Sequence, residues 1–289
     1  MKVTGFSFIR NAQKFDYPIV EAISSILPIC DEIVVAVGNS EDETRELVES
    51  IDPKIRIIDT IWDDSLREGG RVLAEETNKA LDAISADSDW AFYIQGDEVI
   101  HEMYLPVIKA AMEKHKDDSK VEGLLFNYKH FYGSYDFYAD SRKWYRKEIR
   151  VVRPDKAIRS YRDAQGFRKN DKKLWVKPID AEVFHYGWVK DPRHQLAKQK
   201  EFSKLWHNDK HVEERYGQKE SFHYSENESL TPFEGSHPEV MKSRLQRLSW
   251  DLKLDNQSKK KTSVKQRILY LIEKYTGWRV GEYKNYRVV

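Results

Sequence analysis

At 289 residues the chain is long enough to bury a substantial core, as one large domain or one and a half. Its 49 Lys and Arg nearly balance its 48 Asp and Glu, and a net charge of +1 gives no global argument for nucleic acid. The single cysteine, Cys30, excludes an internal disulfide and a thiolate zinc site and points to a reducing compartment, while 12% aromatic residues argue against disorder despite 34% charged ones.

In chain order, Phe6 to Ile9 reads as the first strand, closed by Arg10-Asn11. The start, Met1 to Thr4, lacks a signal peptide's apolar segment, and no run reaches membrane-spanning length, so the expectation is a cytoplasmic protein. Asp16 is placed to cap a helix with Pro18 in its first turn, and Ile19, Ala22, Ile23, Ile26 and Leu27 share one helical face. Ile33 to Val37 is a β-branched run suited to a central parallel strand. Gly38 to Thr44 closes it. Ser40 and Glu43 have capping-box spacing, so a helix is expected there, and the turn is either a phosphate or ribose neighbourhood or an ordinary βα connection.

Ile55 to Ile58 reads as a third strand, followed by a polar loop from Trp62 to Arg71. Arg67 and Arg71 either meet a diphosphate in two-pronged fashion or pair with Asp63, Asp64 or Glu68. Leu73, Thr77, Ala80, Leu81 and Ile84 mark the next helix. Trp90 to Ile94 reads as a strand buried on both faces, ended by Gln95-Gly96-Asp97-Glu98. Carboxylates there face the crevice where open α/β sheets bind ligands. They can hold a hard cation and through it a phosphate, or form a solvated turn. A helix over Tyr104 to Met112 and a strand over Val121 to Tyr128 complete an alternation that predicts an α/β fold: a mostly parallel central sheet with helices on both faces. The GxGxxG and GxxxxGK[ST] phosphate loops are absent.

Three stretches in this order resemble a bacterial-type family 2 glycosyltransferase of the GT-A fold. Phe8-Ile9-Arg10-Asn11 is similar to that family's first strand and its ending. Asp31 to Val35 through Asp42-Glu43-Thr44 is similar to its "DEIVVVDxGSTDGT" stretch, and Tyr93 to Glu98 to its "LDADE" motif. The resemblance covers about the first half of the chain. It implies a nucleotide-diphospho-sugar donor held by Phe8, Arg10, Asn11, Gly38, Ser40, Asp42, Arg67, Gly70, Arg71, Gln95 and Gly96. It also implies a divalent cation, Mn²⁺ or Mg²⁺, on Asp97. Two departures stand out: Val37 replaces an acid that meets the nucleotide base in the family, and Gln95 replaces the first acid of the DxD pattern. The second removes a charge, so metal affinity is expected to fall.

From Asn127 to Arg150 aromatic and basic residues interleave, which suits sugar rings with phosphate or acidic groups, a packed aromatic layer, or single-stranded nucleic acid. A strand follows over Ile149 to Arg153. Asp163 stands about where inverting relatives carry the base that activates an acceptor hydroxyl; a surface acid is the alternative. His185 interrupts the apolar run from Val183 to Trp188 and resembles the late histidine that completes a metal site in several GT-A enzymes, or is a core histidine. Beyond it the chain reads as helical: Leu196 to Trp206, a helix carrying Val240, Leu245, Leu248 and Leu252, a basic linker over Ser258 to Lys261, and a basic amphipathic helix ended by Gly277. The last could touch an anionic membrane face.

The expected organisation is a catalytic domain over 1–190 and a helical extension over 191–289. The expected function is sugar transfer from a nucleotide-diphospho-sugar to a glycan or lipid-linked acceptor in cell-envelope polysaccharide synthesis, with no nucleic-acid partner. The rivals are a nucleotide-sugar-binding protein without catalysis and a nucleotidyltransferase.

Overall fold

The computed structural model describes residues 1–63, 65–66, 69–224, 228–247, 250 and 264–289. The first half runs β1 (Val3–Ile9), α1 (Ile19–Ile26), β2 (Glu32–Gly38), α2 (Thr44–Glu49), β3 (Ile55–Thr60), α3 (Arg71–Asp82), β4 (Trp90–Tyr93), β5 (Glu98–Ile100), α4 (Leu105–His115) and β6 (Gly123–Tyr132). The second half runs β7 (Ser134–Ala139), β8 (Lys147–Val152), β9 (Ile158–Tyr161), β10 (Gly166–Lys169), β11 (Lys172–Lys173), β12 (Trp175–Trp188), α5 (Pro192–Lys204), α6 (Asp209–Tyr216), β13 (Leu230–Pro232), α7 (Lys242–Gln246), α8 (Val264–Thr276) and β14 (Arg287–Val288).

β3, β2, β1 and β4 lie side by side and parallel. β8 is inserted antiparallel between β4 and β6, and β6 pairs on its other side with the long strand β12, in parallel. β2 explains why its run of apolar residues does not alternate with polar ones. Ile33, Val35 and Val37 enter one core with Ile19, Ala22, Ile23 and Ile26 of α1, while Val34 and Ala36 enter another with Ala80 and Leu81 of α3. A strand covered on both faces needs apolar residues at every position. β9, β10 and β11 form a small separate sheet, and Ile158 and Phe167 pack into the second core.

Because β2, β1 and β4 are parallel neighbours, their C-terminal ends share one sheet edge. Gly38-Asn39 and Gln95-Gly96-Asp97 therefore flank the Arg10-Asn11 turn, in the crevice expected for ligands. Asn11 adopts a left-handed φ of 55° there, and its side-chain Oδ1 accepts from the Glu41 N–H at 2.7 Å.

Two local expectations are corrected. Asp16 does not cap α1: Pro18 holds that position, and the Asp16 carboxylate accepts from the Arg244 guanidinium at 2.6 Å. The Ser40–Glu43 capping box does not form, because Ser40 Oγ accepts from the Asn11 N–H at 3.0 Å and donates to the Gly38 carbonyl at 2.9 Å. The hydroxyl ties two strand ends together instead of starting a helix, and α2 begins at Thr44 without a side-chain cap.

Beyond residue 190 the chain is helical with two short strands that join the main sheet, β13 beside β7 and β14 beside β12. Leu248, Leu252 and the expected linker over Ser258 to Lys261 lie outside the described residues. Among the described residues no helix is long and apolar enough to cross a membrane.

Among the described residues one ion pair lies wholly inside. Glu98 of β5 receives Arg150 of β8 through two bonds, at 2.7 and 2.8 Å, with neither side chain exposed. Glu98→Gln leaves the guanidinium without its counter-charge, and the expected loss of stability is about 3–5 kcal/mol. Chemical denaturation of the two proteins at neutral pH checks it.

Candidate functional site

A cavity of about 540 Å³ opens at the C-terminal ends of β1 and β4 and is closed on one side by α5. Asp191 starts that helix by accepting from the Arg193 N–H at 2.8 Å, with Pro192 in the first turn. Helical spacing then turns Lys198, Gln199, Phe202 and Leu205 to the cavity.

One end of the cavity is apolar. Phe8 and Trp62 stand 6.0 Å apart between ring centroids, with Leu66, Leu73, Phe202 and Leu205 around them, and the Arg10 guanidinium lies 5.4 Å over the indole. Trp62 rests directly on Gly38, where any Cβ would run into the indole ring. A slot of this shape and polarity fits a flat aromatic group.

The other end is charged. Asp97 Oδ2 accepts from Lys198 Nζ at 3.0 Å, and the same ammonium donates to the Gly187 carbonyl at 3.0 Å and lies 4.9 Å over the Tyr17 ring. Gly187 is required here: a Cβ would stand 2.6 Å from Asp97 Oδ2 and 2.7 Å from His185 Nε2. Burial works against the Asp97 carboxylate, but the Lys198 ammonium outweighs it and holds its pKa well below the usual carboxylate range. Lys190, fully buried over Tyr17 and donating to the Asp16 carbonyl, is pushed down to about 7 by burial and by Lys198.

His185 Nε2 faces Asp97 Oδ1 at 3.8 Å. Its tautomer follows from its neighbours. The Tyr145 carbonyl can only accept, so His130 Nε2 donates to it at 2.8 Å. His130 Nδ1 then accepts from His185 Nδ1–H at 3.1 Å, and His185 Nε2 keeps its lone pair. Burial lowers the His185 pKa and favours this neutral form. Among the described residues no group of three or more His, Cys, Asp or Glu is placed to hold a metal ion. Asp97 and His185 offer two donors, and the carboxylate's charge already answers an ammonium.

Asp163 sits on a turn between β9 and β10, flanked by two residues of left-handed backbone, Arg162 with φ 55° and Ala164 with φ 61°. Non-glycine residues in this region cost about 1–3 kcal/mol each, and the surroundings hold them there. The Gln95 amide donates to the Ala164 carbonyl at 3.2 Å, and Arg150 donates to the Gln165 carbonyl at 3.0 Å. Burial raises the Asp163 pKa. Asp163, Tyr145 and Gln165 line this cavity and also a second one of about 890 Å³. Among the described residues, the second cavity presents seven Arg and Lys side chains against three carboxylates. Arg142, Arg146 and Arg279 are paired with Glu273 or Glu282, while Arg71, Lys147 and Arg162 form no ion pair among the described residues. Trp144, Trp206 and Tyr283 supply aromatic surface.

The structure brings Phe8, Arg10, Asn11, Gln95, Gly96, Asp97, Asp163 and His185 to the first cavity. Gly38, Ser40, Asp42 and Gly70 support its walls without lining it. Gly38 lies under Trp62, Ser40 and Asp42 bond the backbone of Asn11 and Lys14, and Gly70 packs against the Asp163 Cβ. Arg71 lines the second cavity, and Arg67 lies outside the described residues. Glu98 does not face the cavity as a cation ligand, because Arg150 and the Tyr128 hydroxyl, at 2.7 Å, consume its oxygens. The Trp62 slot, Tyr17, Lys198 and Gly187 went unassigned in the sequence. Nothing in Lys198-Gln199-Lys200-Glu201 distinguishes the buried lysine from its neighbour.

No protein-family model matches the chain, and no curated protein does. Solved structures resemble it at low identity. S. aureus TarS is 16% identical with a TM-score of 0.40, over 70% of this chain and 39% of that one. Its 1–349 fragment in complex with UDP-GlcNAc is 16% identical with a TM-score of 0.41, over 74% and 70%. Glucosyl-3-phosphoglycerate synthase from Mycobacterium tuberculosis, in complex with Mn²⁺, UDP and glucosyl-3-phosphoglycerate, is 18% identical with a TM-score of 0.30, over 45% and 44%. The match thus spans about two fifths of that TarS chain.

Proposed function

We propose that the protein is a glycosyltransferase that moves a sugar from a nucleoside-diphospho-sugar to a hydroxyl of an anionic acceptor. The observation that carries this reading is the position of Asp163, a partly buried carboxyl where a cavity suited to a nucleotide meets a second, basic cavity. The base would lie in the Phe8–Trp62 slot and the diphosphate toward Asp97 and Lys198. The sugar would then stand near Gln95 and Asp163. The basic, aromatic second cavity suits an acceptor bearing phosphate or carboxylate groups. The resemblance of the three N-terminal stretches to family 2 glycosyltransferases supports the same assignment, and a cell-envelope glycan or its lipid-linked precursor fits such an acceptor. Exposed Ile268, Leu271 and Tyr275 on α8 offer a face for peripheral membrane contact.

The step is a single displacement with inversion. The acceptor oxygen forms a bond to the anomeric carbon, the bond from that carbon to the diphosphate oxygen breaks, and its electron pair leaves on the nucleoside diphosphate. The hydroxyl proton passes to the Asp163 carboxylate. Val37 and Gln95 favour a second reading, a protein that binds the nucleotide-sugar without turning it over.

The test is Asp163→Asn. Transfer is expected to fall about 10²–10⁴-fold with donor affinity unchanged in calorimetry; donor binding without turnover in the parent protein would select the second reading. Asp163 must be ionised to accept a proton, and its pKa is raised. Log(kcat/KM) should therefore climb with pH through a limb above the ordinary aspartate value of about 3.9 and then level, and Asp163→Asn should lack that limb. Gly38→Ala, which displaces Trp62, should weaken nucleoside diphosphate binding about tenfold or more, read by calorimetry. Arg71→Ala should raise the acceptor KM and leave donor affinity alone, as steady-state kinetics would show.

A further inference from the structure

A divalent cation that bridges a carboxylate and a diphosphate has one electrostatic task in sugar transfer: it neutralises charge on the departing phosphate. Here that place is built differently. The stretch Gln95 to Glu98 sends one carboxylate to the cavity, because Gln95 is neutral and spends its amide on the Tyr93 hydroxyl and the Ala164 carbonyl, each at 3.2 Å, while Glu98 is sealed against Arg150. The remaining carboxylate, Asp97, holds an ammonium at 3.0 Å. That ammonium is not a surface lysine folded inward. Lys198 is buried, anchored through the Gly187 carbonyl and the Tyr17 ring, and projected by a helix with its own cap. A second buried lysine, Lys190, also lies against Tyr17, 4.7 Å from the ring centroid.

We propose that Lys198 takes the place of a divalent cation at this site and neutralises the diphosphate of the donor as it leaves, so that the protein binds and turns over its donor without metal. The inference rests on the proposed donor site. A divalent ion entering here would meet two protein donors and a fixed positive charge on the same carboxylate, and like charges at this separation oppose binding strongly in a buried site. An anion meets the reverse. Asp97 acts as a positioning residue: it fixes the ammonium where the phosphate arrives and offsets its charge until then.

The experiment is calorimetry with UDP, GDP, CDP and ADP, and with their monophosphates, in EDTA and in millimolar Mn²⁺ or Mg²⁺. The best-bound diphosphate is expected to bind equally well, within about twofold, in EDTA and with either metal. Lys198→Ala should weaken the diphosphate about tenfold or more and its monophosphate much less, and Lys198→Arg should recover most of the loss. Asp97→Asn separates the two possibilities without removing the lysine. If the lysine serves, diphosphate affinity is kept or raised, because a negative charge beside the phosphate is gone. If a cation on Asp97 and His185 serves, that affinity is lost. Binding by the parent protein only with metal would overturn the inference and leave the donor site standing. Absence of binding by every nucleotide, with or without metal, would overturn both. The parent-protein comparison needs no variant, so a poorly folding Lys198→Ala protein does not blunt the test.

Discussion

Glu98 and Arg150 meet inside the sheet with neither side chain exposed, and much of the site depends on that contact. Moving two charges out of water costs several kcal/mol per ion, which only near-complete satisfaction offsets. Arg150 meets that condition. It bonds both Glu98 oxygens, donates to the Ile149 and Gln165 carbonyls, and lies about 5 Å from the rings of Tyr93 and Tyr128. The geometry that satisfies the pair also fixes two chain segments. Glu98 is the neighbour of Asp97, and Gln165 belongs to the turn that carries Asp163. A pair that must be fully bonded to exist at all sets the distance between the charged end of the cavity and its proposed base.

The Gln95 side chain closes the same frame from the other direction, tying the end of β4 to Ala164. A carboxylate at that position would face the Ala164 carbonyl without a hydrogen to give it. The neutral amide therefore has a structural reason that is independent of any cation: it helps hold two left-handed residues in place around Asp163. Backbone strain of this kind persists where surrounding bonds over-determine it, and here those bonds come from Gln95, Arg150 and the close packing of Gly70.

Charge is distributed unevenly across the two cavities. The first has an apolar slot at one end and an ammonium–carboxylate pair at the other, while the second is dominated by arginine and lysine. Burial raises Glu148, in the second cavity, to about 7 against the pull of Arg150, so that carboxyl cancels only part of the positive field, while Glu282 stays ionised beside Arg146. Such a field attracts anions and repels a bare cation, consistent with a nucleotide on one side and an acidic or phosphorylated acceptor on the other.

The sequence by itself determined the layers and the sheet edge at which the first cavity opens. The β-branched run at Ile33 to Val37 and the unbroken apolar stretch at Trp90 to Ile94 read as strands covered on both faces, and the intervening helical faces read as parallel crossovers. Parallel strands place their C-terminal ends together, which was enough to bring Gly38, Asn11 and Gln95 to one crevice with Asp97 beside it; Asp163 and His185 were nominated only by the resemblance to family 2 glycosyltransferases. Partners distant in sequence were decided only by the tertiary structure. Asp16 and Ser40 carry good local capping signals, yet the Arg244 guanidinium and the Asn11 N–H reach them instead. Glu98 and Asp97 are adjacent acids in the chain, and only the arrival of Arg150 and Lys198 from other elements made one a core ion and the other the floor of a cavity. Side-chain charge is written in the sequence; what neutralises it is a matter of three-dimensional distance, and Coulomb energy in a buried site is governed by that distance.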